Sequence, residues 1–103
     1  MIKNQLNKEG KEHGYWEKYY FNRKIKNKGK FKNGKRDGYC EEYYGNGKLS
    51  YKGYFIDGKP HGYCEFYYSN GKLGYKGNHK EGKEHGYWEN YHYNETLTNE
   101  FHI

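Results

Sequence analysis

The chain has 103 residues, of which 32% are hydrophobic, 21% aromatic and 31% charged, with a net charge of +6. It contains no valine or alanine, which excludes a large aliphatic core, and no apolar run approaches the roughly 20 residues of a membrane-spanning helix. Few aliphatics and a net charge resemble a disordered chain, but fifteen Tyr, five Phe and two Trp each carry a large burial payload and recur at fixed spacing, so one folded domain is expected.

Along the chain the same phrase returns every 24 residues. After a partial unit at 1–13, full units are expected at 14–37, 38–61 and 62–85, followed by a C-terminal cap hairpin at 86–103. Blocks 38–61 and 62–85 share 16 of 24 positions. A fixed period of this length means a repeat array, each unit burying its apolar face against its neighbours. Each unit reads as strand, turn, strand, turn. The first turns are Asn22-Arg23, Asn46-Gly47, Asn70-Gly71 and Asn94-Glu95, and the two Asn-Gly pairs predict two-residue type I′ hairpins. The second turns, Asn33-Gly34, Asp57-Gly58 and Glu81-Gly82, each precede a Lys and link one hairpin to the next. Nothing has helical periodicity. The fold class is therefore all-β: an antiparallel meander of hairpins forming one elongated, twisted sheet.

A two-residue turn at Asn46-Gly47 predicts the register. Tyr44 faces Leu49, Glu42 faces Tyr51, Glu41 faces Lys52 and Cys40 faces Gly53. The neighbouring units place Glu65 opposite Lys76, Cys64 opposite Gly77, Glu17 opposite Lys28 and Trp16 opposite Gly29. Opposite charges and a bulky group over a strand glycine are both favourable cross-strand pairs. Alternation then separates two faces. An apolar one carries Trp16, Phe31, Cys40, Tyr51, Phe55, Cys64, Phe66, Tyr75 and Trp88. The other carries tyrosine columns beside Glu and Lys.

The residues that carry this pattern resemble MORN repeats (membrane occupation and recognition nexus). Tyr51-Lys52-Gly53-Tyr54-Phe55-Ile56-Asp57-Gly58-Lys59-Pro60-His61-Gly62 is similar to the family's core, and Gly14-Tyr15-Trp16 with Tyr67-Tyr68-Ser69-Asn70-Gly71-Lys72 resembles its bacterial variant in YwqK-like antitoxin-component proteins. The resemblance implies a twisted sheet of successive hairpins and a binding role. The chain departs from the pattern where Cys40 and Cys64 replace an aromatic, Asp37 stands for His, and His79 stands for Phe.

No catalytic or metal site is expected. His13, His61 and His85 form one column, but their neighbours lie about 10 Å apart, too far to converge on a metal, and they read as loop residues bonding turn backbone. Cys40 and Cys64, two strands apart, are beyond disulfide reach; each faces a glycine with no base assigned beside it, and reads as a small core hydrophobe. Unpaired thiols and the lack of an apolar leader at Met1-Ile2-Lys3 fit a cytoplasmic protein. The expected function is a non-enzymatic module, without cofactor, that captures a protein partner through Tyr15, Tyr19, Tyr39, Tyr43, Tyr63, Tyr67, Tyr87 and Tyr91, in an antitoxin-like or inhibitory role. The alternative is a polyanion binder using Lys28, Lys35, Lys52, Lys59, Lys76 and Lys83 with stacking tyrosines, for RNA, single-stranded DNA or an anionic membrane, or an inhibitor of a nucleic-acid-handling enzyme from a mobile element. Self-association through the open edge at Leu97–Ile103 is a further expectation.

Overall fold

The computed structural model describes residues 3–92, 94 and 96–102. Among them nine strands form a single antiparallel sheet in sequence order: β1 (Gln5–Leu6), β2 (Glu12–Tyr19), β3 (Ile25–Lys32), β4 (Lys35–Tyr43), β5 (Leu49–Ile56), β6 (Lys59–Tyr67), β7 (Leu73–Lys80), β8 (Lys83–Tyr91) and β9 (Leu97–His102). The sheet is open, with no helix, and measures 47 × 32 × 19 Å. Glu95 of the expected Asn94-Glu95 turn and Ile103 of the expected edge strand lie outside the described residues.

The central register follows the pattern read from sequence. Cys40 pairs with Gly53, Glu41 with Lys52 and Glu42 with Tyr51. Cys64 pairs with Gly77 and Glu65 with Lys76, while Trp16 pairs with Gly29 and Glu17 with Lys28. The type I′ geometry expected at the Asn-Gly first turns, however, is found at the second turns. Asn33-Gly34, Asp57-Gly58 and Glu81-Gly82 have positive φ at both residues and close tight pairs such as Ile56↔Lys59, so these are the type I′ hairpins. Asn46-Gly47 is not one. Asn46 keeps a negative φ and only Gly47 is left-handed, at 89°.

The loop there has three residues, 45–47. Tyr44 N–H donates to the Lys48 carbonyl and Gly47 N–H to the Tyr44 carbonyl. The extra loop residue is absorbed by a bulge, so Leu49 pairs with Tyr43 and not with Tyr44. The first turn has the same plan, with Arg23 at φ 70° in the place of Gly47, a conformation that costs an L-residue about 1 kcal/mol. The asparagines fasten these loops in two directions. Asn46 Oδ1 accepts from Lys48 N–H at 2.9 Å, and its Nδ2 donates to the Ser69 carbonyl of the next loop, also at 2.9 Å. Asn22 does the same toward Gly45.

A second bulge falls beside Gly62, whose φ is 86°, where the β5–β6 pairing shifts between Gly53 and Phe55. His61 and His85 therefore lie within strands β6 and β8, and His13 within β2. They are not the loop residues expected. The backbone-capping role belongs to Asp37, whose carboxylate accepts from Asp57 N–H at 3.3 Å.

The core runs along one face. Phe31, Cys40, Tyr51, Phe55, Cys64 and Trp88 are buried, with Phe66 and Phe101 packed against them. Tyr51 lies 4.6 Å from Phe66, and Phe66 stacks on Tyr75 at 4.4 Å. On the turn side Tyr20, Tyr44 and Tyr68 each reach over the neighbouring unit, donating to the carbonyls of Tyr43, Tyr67 and Tyr91. Each unit is thus stapled to the next by a side chain-to-backbone hydrogen bond as well as by the sheet ladder.

Candidate functional site

The opposite face is built on the sequence Tyr-x-Glu-x-Tyr, present in β2, β4, β6 and β8. Alternate residues of a strand share a face and stand about 6.6 Å apart, so a central carboxylate can receive a phenol from each side. Tyr39 donates to Glu41 Oε2 at 2.7 Å and Tyr43 to Oε1 at 2.5 Å. Tyr63 and Tyr67 clamp Glu65 in the same way. Tyr15 and Tyr19 bond Glu17 at 2.9 and 2.6 Å, and Tyr87 and Tyr91 bond Glu89 at 2.8 and 2.6 Å.

A lysine completes each cluster. Lys28 approaches Glu41 at 3.5 Å, Lys52 approaches Glu65 at 3.1 Å and Lys76 approaches Glu89 at 3.4 Å. Lys3 bonds Glu17 at 2.5 Å. The strand register is as expected from sequence, but each ammonium turns toward the Glu of the following unit. The ion pairs therefore join successive units across the type I′ hairpins.

The clusters shift the titration of their members. Hydrogen bonds from Lys3, Tyr19 and Tyr15 hold Glu17 down to about 2. Burial pulls Glu41 and Glu65 upward, but the tyrosine hydroxyls and the lysines outweigh it and leave both below the ordinary value. Burial and the adjacent carboxylate push Tyr15 up to about 12, and raise Tyr39, Tyr43 and Tyr63 further. A depressed carboxyl stabilises the fold above its unfolded value of 4.5, and loses that contribution as pH falls toward its folded value. A raised phenol stabilises below its unfolded value of 10.0, and loses the contribution as pH rises through its folded one. These clusters are thus expected to lower the melting temperature as pH falls below 4.5 and as it rises above 10.0. A thermal melt series across pH checks this; a protein no less stable at pH 3 than at pH 7 would contradict it.

All eight tyrosines singled out in the sequence lie in these clusters. Their hydroxyls are engaged, so what they offer outward is ring surface. Of the six lysines, Lys28, Lys52 and Lys76 are ion-paired in the clusters, and Lys35 lies 3.7 Å from Asp57 at the turn edge. Lys59 and Lys83 are exposed at the same edge. The carboxylate clamp was not read from sequence, although its signal, Tyr-x-Glu-x-Tyr in four strands, was present. Strand alternation placed the three side chains together without saying that the hydroxyls would converge.

Cys64 does have a base beside it. Its Sγ lies 3.4 Å from His79 Nδ1. Burial pushes the thiol up to about 11 and the imidazole down, and both shifts oppose a thiolate–imidazolium couple. Cys64 is 1% exposed, and both cysteines are free. Among the described residues no group of three or more His, Cys, Asp or Glu could hold a metal ion.

The MORN repeat model matches residues 28–48 and 51–72. Each match spans two strands joined by a type I′ turn, β3–β4 and β5–β6. No curated protein matches the chain.

Proposed function

Residues 28–48 and 51–72 of this chain are MORN repeats, and from that premise we propose that the protein is a non-enzymatic module that captures a protein partner on its tyrosine–glutamate face. MORN repeats are binding modules for proteins or membranes. The observation that carries the choice of a protein is the clamp itself. Each tyrosine is fixed through its hydroxyl, so the rings are held in place before any partner arrives, which lowers the entropic cost of association. Tyrosine is also the residue type favoured where few contacts carry most of the binding energy. The lysines best placed to meet phosphate are already matched by carboxylates, which weakens the polyanion alternative. Capture of this kind would serve an antitoxin-like or inhibitory role by covering the partner's working surface, and the net charge of +6 favours an acidic partner.

The double variant Tyr39→Ala/Tyr63→Ala is expected to lose capture of the partner by about tenfold or more while keeping its circular dichroism spectrum. Tyr39→Phe/Tyr63→Phe retains the rings but releases them from the carboxylates, and is expected to bind more weakly than the wild type yet more tightly than the alanine variant. The check is a pull-down with immobilised protein, partners identified by mass spectrometry, run beside RNA and anionic vesicles. A folded alanine variant that captures as the wild type does would refute the proposal. So would binding confined to RNA or vesicles and lost with added salt.

A further inference from the structure

One row of the clamp face carries exposed tyrosines at three successive strands, and the residues between its ridges vary. Reading across the strands, the row runs Tyr15, Lys30, Tyr39, Tyr54, Tyr63, Asn78, with Tyr15 paired to Lys30, Tyr39 to Tyr54 and Tyr63 to Asn78. Tyr39, Tyr54 and Tyr63 are 40, 52 and 43% exposed. Successive ridges Tyr15, Tyr39 and Tyr63 enclose two shallow notches. The first, about 340 Å³, has Gly29 in its floor with Lys28, Lys30 and the clamped Glu41 beside it. The second, about 210 Å³, has Gly53 in its floor with Lys52 and Tyr54. The Tyr54 ring stands edge-on to Tyr39 at 5.3 Å.

Resting on the protein-capture reading above, we propose that the partner segment is a left-handed polyproline helix laid across the strands along this row, with an acidic residue at the Lys30 end. Three arguments converge on it. The first is spacing: ridges two strands apart repeat every 9.4–9.8 Å, roughly, and a polyproline helix repeats its side chains every three residues, about 9.3 Å. The same-face spacing of an α-helix nearest to this repeat is seven residues, about 10.5 Å, which drifts by about 1 Å at each ridge.

The second argument is hydrogen bonding. The backbone of the interior strands is already paired within the sheet, so this face has no main-chain partner to give. An extended β-strand lying here would leave its N–H groups against aromatic rings, whereas a proline helix has none to satisfy. Rigid aromatic ridges are also the surface on which proline-rich segments dock.

The third is charge and the character of the variable positions. Lys28 is matched by Glu41, but Lys30 is exposed, with its stem packed over Gly38, and Lys32 is exposed on the same strand. The first notch therefore suits a carboxylate, the second a proline ring between Tyr39, Tyr54 and Tyr63, and the position at Asn78 a polar group. The repeats supply a constant ladder of ridges, while the three unlike residues between them set the order in which a partner must present its side chains.

The test is fluorescence polarisation with a labelled octaproline carrying one aspartate at each end. A glycine–serine peptide of equal length with the same ends, and an octaproline with lysine ends, serve as controls. The aspartate-ended octaproline is expected to bind about tenfold more tightly, or better, than the glycine–serine peptide. Tyr54→Ala is expected to remove about tenfold, and Lys30→Glu to reverse the preference toward the lysine-ended peptide. Equal affinity for the two backbones, no binding of either, or binding unaffected by Tyr54→Ala in a folded variant would overturn the proposal. Preference for an oligothymidylate over the peptide would overturn it as well. If capture of the native partner still depends on Tyr39 and Tyr63 while the octaproline is ignored, this inference falls and the protein-capture reading stands.

Discussion

Gly77→Ala is expected to be among the most damaging single substitutions in this protein, lowering stability by about 3 kcal/mol or more. A Cβ built at Gly77 would lie 2.1, 2.4 and 2.5 Å from three atoms of the Trp88 indole. The ring cannot slide away. It is fully buried, packed between His79 at 5.1 Å and Phe101 at 6.4 Å, and its Nε1–H is bonded to the Asn78 carbonyl. In a chain of this size each kcal/mol corresponds to roughly 4–8 °C in melting temperature, so thermal denaturation reads the effect directly. Gly45→Ala is the matched control, since a Cβ there meets nothing within 4 Å and its φ is not left-handed. Comparable melting of the two variants would contradict the close approach at Gly77.

Trp88→Ala is the second large effect, expected at about 3–5 kcal/mol. Trp88 is the largest fully buried side chain in the described residues, and a single-layer sheet has no second layer to collapse into the space. Trp16 occupies the equivalent position three units earlier, yet it is only half-buried and donates its indole N–H to the Gln5 carbonyl at 2.9 Å. Trp16→Ala is therefore expected to cost distinctly less. The two large predictions are coupled. In a Trp88→Ala background the added methyl of Gly77→Ala no longer meets a ring, so its penalty should largely vanish. Urea denaturation of the four proteins of this cycle measures the coupling, and simple additivity would show that the indole does not lie over Gly77.

Much of this architecture is legible in the residues because a repeat states each rule several times. The pairing of Cys40 with Gly53, Cys64 with Gly77 and Trp16 with Gly29 follows from a single register that also pairs Glu with Lys in every unit, but the side chains that lie over Gly29, Gly53 and Gly77 are Cys40, Cys64 and Trp88 of the following unit. The turns were less legible. An Asn-Gly pair favours type I′ in isolation, but Gly45 or Ser69 precedes it here, and the asparagine side chain bonds two residues onward and across to the next loop. Those bonds select a three-residue loop, and the displaced residue reappears as the bulge at Tyr43 and Leu49.

The direction of the ion pairs was hidden for another reason. In an interior strand each lysine has a glutamate on both sides, as Lys28 pairs with Glu17 in β2 and Glu41 in β4, and register alone does not choose between them. His79 beside Cys64 was obscured in the same way. It sits where the other units carry Phe, so the repeat pattern reads it as a core substitution and gives no sign of the 3.4 Å approach to a thiol.

The binding face rests on the division of labour between the two sides of the sheet, and a footprint tests it most directly. Hydroxyl-radical labelling of tyrosines, read by mass spectrometry with and without the captured partner, separates the faces. Tyr39, Tyr54, Tyr63 and Tyr87, all exposed on the clamp side, are predicted to be protected in the complex, while Tyr75, which is exposed on the opposite side and stacks on Phe66, keeps its free reactivity. Protection of Tyr75 with unchanged labelling of Tyr39 and Tyr63 would place the partner on the core side and contradict the account.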